Sequence, residues 1–160
     1  MLTVNGLSFI PIQVASNRAD NLVQKMRDKL AQDSYPPGLR ESYEQQLELF
    51  ANSKVPDIEL LFLPFTLPVP SPEPEKPYLS IIPIIGRPFS RGTVHIQSAD
   101  PKASPAIDPR YLDEDIDLDV LVDTTKFLHK VTQTEPFKSL VVEEQLPGPN
   151  VNTDEELYGA

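Results

Sequence analysis

The stretch of residues 90–112, with the sequence SRGTVHIQSADPKASPAIDPRYL, constrains the fold more than any other part of the chain. After a turn at Arg91 and Gly92, the apolar residues Val94 and Ile96 alternate with polar neighbours. This period of two predicts a half-buried strand. Pro101 ends the strand, because proline has no N–H for the ladder and favours extended geometry in the residue before it. An extended segment interrupted by prolines is expected to follow.

Length and charge limit the classes of protein to which the chain can belong. Its 160 residues suffice for one domain with a core, or for one large piece of a bigger domain. The formal charge of −10 argues against partners such as nucleic acid or an anionic membrane surface, because both need a basic patch. The N-terminus makes a poor signal peptide, since no positive residue precedes Arg18. The compartment therefore stays open.

The hydrophobic pattern predicts an α+β fold in which helices back an antiparallel β-sheet. Helices are expected from a cap at Asn17 to Leu30 and over residues 39–52. Extended or strand segments are expected over residues 2–14, 57–67, 78–85 and 93–97. The Pro-rich residues 68–77 are predicted to form a stiff connecting loop, which is favoured over an SH3 or WW ligand.

An acidic cluster over residues 113–119 precedes a helix that is predicted to reach about Gln133. The cluster is expected to complement the helix macrodipole. A calcium-binding EF-hand loop would need glycine and glutamate at the positions of Leu118 and Thr124, so the helix start is favoured. A short strand is expected near residues 140–146, and Thr153 is expected to cap a last helix. The predicted apolar stripe of the long helix consists of Leu118, Leu121, Val122, Thr125 and Leu128, with Val120, Phe127 and Val131 beside it.

The motifs of this region together resemble the start of the C-terminal homology region of the glucose–methanol–choline (GMC) oxidoreductases. In that family a serine–arginine–glycine turn leads into a strand, and a segment SxDP…P.IDP.YL precedes a helix that begins DL..L. The matching residues here are Ser90-Arg91-Gly92, Ser98-Ala99-Asp100-Pro101, residues 105–112 and Asp117-Leu118. Order and spacing agree, and the motifs look most like those of the fungal aryl-alcohol-oxidase-like branch.

The resemblance implies one partial substrate-binding domain over residues 1–160. Its sheet and helix part would span residues 1–89, and the start of the C-terminal homology region would span residues 90–160. In full-length relatives it implies FAD, hydride transfer from an alcohol to the flavin, and a histidine base. No G-x-G-x-x-G occurs in this chain, so no residue of it is expected to bind FAD. His95 and His129 lie outside the family's catalytic motif, so no catalytic residue and no metal ligand is expected.

Three residues before the Pro-rich loop are candidates for the substrate cavity: Phe62, Phe65 and Leu67. The resemblance implies that strands of this domain and a loop at the entrance line the cavity with aromatic and aliphatic side chains. A ring at the cavity mouth would select hydrophobic alcohols and exclude water. The alternative is that these side chains belong to the core of the sheet.

Three hypotheses about function follow. The chain is a fragment that supplies the substrate-binding part of an FAD-dependent oxidoreductase acting on CH–OH groups of aryl or other hydrophobic alcohols, and is inactive alone. Alternatively, it is a stand-alone, flavin-free domain that binds a small ligand or a protein. In the third hypothesis a second chain supplies the missing FAD-binding half, which predicts exposed apolar surface on this chain.

Overall fold

The computed structural model contains two small antiparallel sheets and a set of helices, and it describes residues 6–66, 73 and 76–159. The strands are β1 (Gly6–Ile10), β2 (Ile58–Leu63), β3 (Ser80–Ile85), β4 (Thr93–His95) and β5 (Ala106–Asp108). The helices are α1 (Ile12–Ala15), α2 (Ala19–Gln32), α3 (Leu39–Phe50), α4 (Asp115–Thr132), α5 (Phe137–Leu140) and α6 (Asp154–Tyr158). No helix among these residues is both long and apolar enough to cross a membrane.

The larger sheet has the strand order β1-β2-β3, with both pairs antiparallel. The apolar strand β2 lies at its centre, as expected for a nearly continuous apolar run. Pro83 lies within β3, which is an edge strand, where a missing N–H is tolerated. Helices back one face of this sheet, so the predicted α+β fold is confirmed.

The core lies between the helices and one face of the larger sheet. Ile58 and Leu60 contribute from β2, and Phe62 packs against the same cluster from its edge. Helices α2, α3 and α4 contribute most of the remaining buried side chains, including Leu22, Val23, Met26, Leu30, Tyr43, Leu47, Phe50, Ile116, Val120 and Leu128. Phe89, just after β3, lies inside this cluster and is 2% exposed. The single cluster joins the sheet to the long helix α4.

The N-terminal segment differs from the prediction, because β1 ends at Ile10 and the short helix α1 follows Pro11. Ile12 is fully buried, and its N–H donates to the Asp57 carboxylate at 3.1 Å. Asp57 also accepts a hydrogen bond from Arg87, whose Nη2 lies 2.9 Å from Asp57 Oδ1. Burial raises the pKa of the Asp57 carboxyl, while the hydrogen bonds from Ile12 and Arg87 oppose that shift. The turn into α1 thus depends on a residue distant in sequence, which no local pattern reveals.

The predicted cap of α2 is also wrong, because Arg18 and not Asn17 precedes the helix, without a side-chain cap. The Arg18 side chain instead binds Asp123 of α4, with Nε 3.0 and 2.9 Å from the two carboxylate oxygens. That hydrogen bond raises the pKa of the guanidinium. The start of α2 is therefore fixed by an ion pair between helices.

The bounds of α4 agree with the prediction, and its buried face agrees in part, since Val122 and Leu128 of the predicted stripe are buried. Leu118, Leu121 and Thr125 of the predicted stripe are only half-buried. The buried face includes Asp117 and Asp119 of the acidic cluster, which was predicted only to complement the dipole, and also Asp123. Each has partners outside the helix, such as the Lys25 ammonium 2.7 Å from Asp119. These partners replace the water that a buried carboxylate loses.

Near the C-terminus one prediction is wrong and one is confirmed. Residues 140–146 form no strand; α5 ends at Leu140 and an irregular segment follows. Thr153 does cap α6, because its Oγ1 accepts the Glu156 N–H at 3.2 Å and its own N–H donates to the Glu156 carboxylate at 3.0 Å. Such a reciprocal pair is the capping box that the sequence indicated.

The smaller sheet consists of the hairpin β4–β5, in which Val94 pairs with Ile107. The apolar side of the strand around Val94 was predicted to be buried. Among the described residues this prediction is wrong, because that side is exposed. Val94 is 67% and Ile96 89% exposed, because no described element covers their side of the hairpin.

Gly92 enters this hairpin in close contact with backbone. A Cβ at Gly92 would lie 2.5 Å from the Asp108 carbonyl oxygen and 2.6 Å from that of Pro109. We expect Gly92→Ala to destabilise the hairpin by about 1–3 kcal/mol, because backbone must move to admit the methyl group. Amide hydrogen exchange in β4 and β5 would measure the loss. Gly159→Ala is the control, since a Cβ at that position would meet no atom closer than 3.8 Å. If both substitutions changed amide exchange in β4 and β5 to the same extent, the prediction would be contradicted.

Candidate functional site

The face of the larger sheet that points away from the core is apolar and open to solvent. Successive side chains of a strand point to opposite faces, so β1 presents Leu7 and Phe9 on this face. These two side chains are 53% and 59% exposed. Cross-strand register places residues from all three strands side by side on the same face, and they are exposed or half-buried: Leu7, Phe9, Leu61, Ile82 and Ile84. We call this set the open sheet face.

One charged side chain lies in the middle of the open sheet face. Glu59 of β2 pairs with Phe9 of β1 on one side and with Ile84 of β3 on the other. It is half-buried, and it makes no hydrogen bond or ion pair with any residue that the structure describes. A carboxylate among apolar side chains becomes costly when the surface is covered, unless a donor meets it. Glu59 is therefore the polar group of this face that is available to bind a ligand or a covering segment.

The structure separates the three residues that the sequence suggested for the cavity. Phe62 lies on the opposite face of β2, where it packs against the core and near Gly6. Phe65 follows the strand; it is half-buried and its carbonyl accepts a hydrogen bond from Ser80 Oγ at 2.8 Å. Leu67 lies outside the described residues. The role of all three in a cavity stays a prediction, and Phe62 has the contacts of a core residue.

Sequence reasoning missed Leu7, Phe9, Ile84 and Glu59 as members of a common surface. The signal was present in the run IELLFL, where Glu59 is the single charged residue. Because both faces of this strand are apolar, the run alone does not show which face the helices cover. The register with β1 and β3 is needed to answer that question.

The histidines lie away from the open sheet face. His95 is exposed on β4 of the smaller sheet. His129 of α4 has Nε2 2.8 Å from a carboxylate oxygen of Glu144. Within the described ranges, no three side chains among His, Cys, Asp and Glu are grouped so that they could hold a metal ion.

The glycines of the described residues do not form a cradle for the pyrophosphate of FAD. Gly38 precedes a long helix with φ of 85°, but its N–H already donates to the Glu41 carboxylate at 3.0 Å. The space beside Gly92 is filled by backbone of this chain. A dinucleotide site needs a glycine-rich turn between a strand and a helix, with free N–H groups aimed at the phosphates. These residues do not fit FAD, so we assign no reaction step to the flavin.

Sequence comparison relates the chain to flavin-dependent proteins. Residues 88–159 match the family model described as GMC oxidoreductase. The GMC oxidoreductase family protein Mala s 12 of Malassezia sympodialis is 37% identical over 78 residues, which cover 49% of this chain and 13% of that protein. Versicolorin B synthase of Aspergillus parasiticus is 31% identical over 133 residues, which cover 82% of this chain and 20% of that protein.

Two solved structures share the fold over nearly the whole chain. An FAD-dependent oxidoreductase from Chaetomium thermophilum superposes with a TM-score of 0.76 at 23% identity, over 96% of this chain and 26% of that one. A fungal aryl-alcohol oxidase superposes with a TM-score of 0.74 at 20% identity, over 95% of this chain and 26% of that one. The chain thus spans about a quarter or less of each of these relatives.

Proposed function

Because the chain belongs to the GMC oxidoreductase family, we propose that it forms the substrate-binding part of an FAD-dependent oxidoreductase that acts on the CH–OH group of aryl or other hydrophobic alcohols. Members of this family are flavin-dependent and act on alcohols. The proposal assigns FAD binding and the catalytic histidine to other parts of such a protein. This chain contributes the wall against which the alcohol is held.

The observation that carries the proposal is the open sheet face with Glu59 at its centre. A sheet whose second face is apolar normally has that face covered, either by protein or by the contents of a cavity. Ligand cavities are mostly apolar and contain a few convergent polar groups, which is the composition of this face. In the proposed arrangement its aliphatic side chains and Phe9 hold the apolar part of the alcohol and exclude water.

Glu59 supplies the polar contact in this arrangement. Its carboxylate accepts a hydrogen bond from the alcohol hydroxyl, or from a donor beside that hydroxyl on the covering part of the protein. Such a bond orients the CH–OH group on an otherwise apolar wall. No covalent or proton-transfer step is assigned to Glu59.

The stand-alone, flavin-free binding domain is the second candidate. An open apolar face would also suit a domain that binds a small hydrophobic ligand. Family membership and the match of the fold over 95% of the chain to a part of larger oxidoreductases favour the enzyme. Colour distinguishes the two candidates in the native source, because a protein that carries flavin is yellow.

The proposal can be tested in a chimera in which residues 6–159 replace the matching segment of the fungal aryl-alcohol oxidase. We expect the chimera to retain flavin and to oxidise benzyl alcohol with a higher kcat/KM than ethanol, because the apolar wall contacts the aromatic ring. A chimera that retains flavin, but oxidises neither alcohol under conditions in which the parent enzyme is active, would exclude this function.

A change at Glu59 in the same chimera is expected to reduce activity. Glu59→Gln should lower kcat/KM for benzyl alcohol by about 10- to 100-fold, the loss that accompanies one hydrogen bond to a charged group. Glu48→Gln, on the exposed side of α3, is the matched control and should leave kcat/KM unchanged. If both variants keep the parent activity, Glu59 has no contact with the reacting alcohol or its neighbours.

A further inference from the structure

The apolar side of the β4–β5 hairpin points away from the rest of the chain. Val94 and Ile107 face each other directly across the two strands, and each is more than two-thirds exposed. Ile96 lies directly after the end of β4 and is 89% exposed. On the other side of the hairpin, Thr93 and Ala106 are half-buried, while His95 and Asp108 are exposed. The β-branched apolar side chains of the hairpin therefore lie in solvent, and its buried contacts to the described chain are few.

The turn after β5 has a backbone that is unusual for the residues it contains. Arg110 and Leu112 both adopt left-handed conformations, with φ of 43° and 59°. Tyr111 lies between them and is 87% exposed. Left-handed geometry is unfavourable for side chains larger than glycine, and it is retained where the surroundings or a function require it. The backbone of Gly92 lies close to the carbonyl groups of residues 108 and 109. The Arg110 Nε–H also donates to the Asp108 carboxylate at 2.8 Å, and both interactions stabilise the turn.

We propose that Val94, Ile96, Ile107 and Tyr111 form a docking surface for the flavin-binding part of a GMC polypeptide. This proposal rests on the proposed function, because it requires that a flavin-binding part exists. A hairpin of two three-residue strands is only marginally stable in water, and a surface that covers its apolar side would stabilise it. Tyr111 lies in the strained turn directly after the hairpin, and its side chain makes no hydrogen bond or ring contact with the described residues.

Two observations favour this occupant over a second copy of the chain. The family match covers residues 88–159 and so includes the whole hairpin, while about three quarters of the superposed relatives lies outside the region this chain covers. A second copy would bring another formal charge of −10 against the first, and this repulsion opposes self-association. A covering part of different sequence is not bound to carry the same charge.

Amide hydrogen exchange can test the docking surface. We expect the amides of β4 and β5 to exchange at least tenfold more slowly in the flavin-containing chimera than in the isolated chain, while those of α3 change little. In the chimera, Ile107→Lys should remove this protection. Val142→Lys should not, although Val142 is 99% exposed in the isolated chain.

Each outcome has a distinct meaning. Equal exchange of the hairpin in the isolated chain and in the flavin-containing chimera would overturn the docking surface. A dimer of the isolated chain, seen by light scattering and with a protected hairpin, would also overturn it in favour of a second copy. A protected hairpin in a chimera that oxidises no alcohol would support the docking surface and count against the proposed function alone.

Discussion

Phe89→Ala is expected to lower the free energy of unfolding by about 3–5 kcal/mol, the range for removing a large aromatic side chain from a core. Phe89 is 2% exposed, and its ring centroid lies 5.9 Å from that of Phe50, edge to face. The Phe89 ring centroid also lies 5.8 Å from the ring centroid of Tyr43. The substitution therefore removes buried apolar area and two aromatic contacts, and it leaves a cavity beside α3. Urea denaturation followed by circular dichroism would measure the change.

The control for this prediction is Leu49→Ala. Leu49 lies in α3 next to the buried Phe50, but it is 43% exposed. We expect it to cost less than about 1 kcal/mol, since surface substitutions have small effects. If Phe89→Ala were no more destabilising than Leu49→Ala, the core would not be organised around Phe89.

Asp117→Ala is expected to lower the free energy of unfolding by about 3 kcal/mol, because it leaves two backbone donors without their acceptor. The two carboxylate oxygens of Asp117 accept the N–H groups of Phe89 and Ser90, each at 2.8 Å. Asp117 is 2% exposed, so water cannot replace it without opening the structure. The same denaturation experiment would measure this loss.

Asp115→Ala separates this effect from that of the helix dipole. Asp115 lies in the first turn of the same helix but is exposed, so its removal should cost about 0.3–1 kcal/mol. Equal losses for the two variants would show that the bonds to Phe89 and Ser90 do not stabilise the fold. These two hydrogen bonds would then not explain why an aspartate is buried at position 117.

Local sequence patterns predicted elements whose causes are local. The 3.6-residue period and the end signals gave α3 and α4 to within a few residues, and the capping box gave α6. The buried face of α4 could not be obtained in this way, because Asp117, Asp119 and Asp123 find their partners in other elements. A period analysis treats every aspartate as a solvent-facing residue, whereas the fold satisfies these three with cations and N–H groups.

The site was harder to predict than the fold, for a related reason. Both faces of β2 are apolar, so the aromatic Phe62 and the charged Glu59 could each have faced a cavity. The positions of β1 and β3 decide that Glu59 lies on the open sheet face. The division of the chain at residues 89 and 90 stays a prediction, and Asp117 binds the residues on both sides of it.

The β4–β5 hairpin shows a further limit of the sequence pattern. The alternation of Val94 and Ile96 correctly marks a strand with one apolar side, and the error concerned what covers that side. A pattern records that a face is to be buried, but it does not identify the partner. If the flavin-binding part supplies the cover, the pattern describes the assembled protein and not the isolated chain.

The central claim is that this chain is part of one alcohol oxidoreductase, and sequencing the transcript on both sides of its codons tests this most directly. The claim predicts a G-x-G-x-x-G unit between a strand and a helix upstream, and a segment with the catalytic histidine downstream, in the same reading frame. A reading frame that begins at Met1 and stops after Ala160, without either segment, would contradict it.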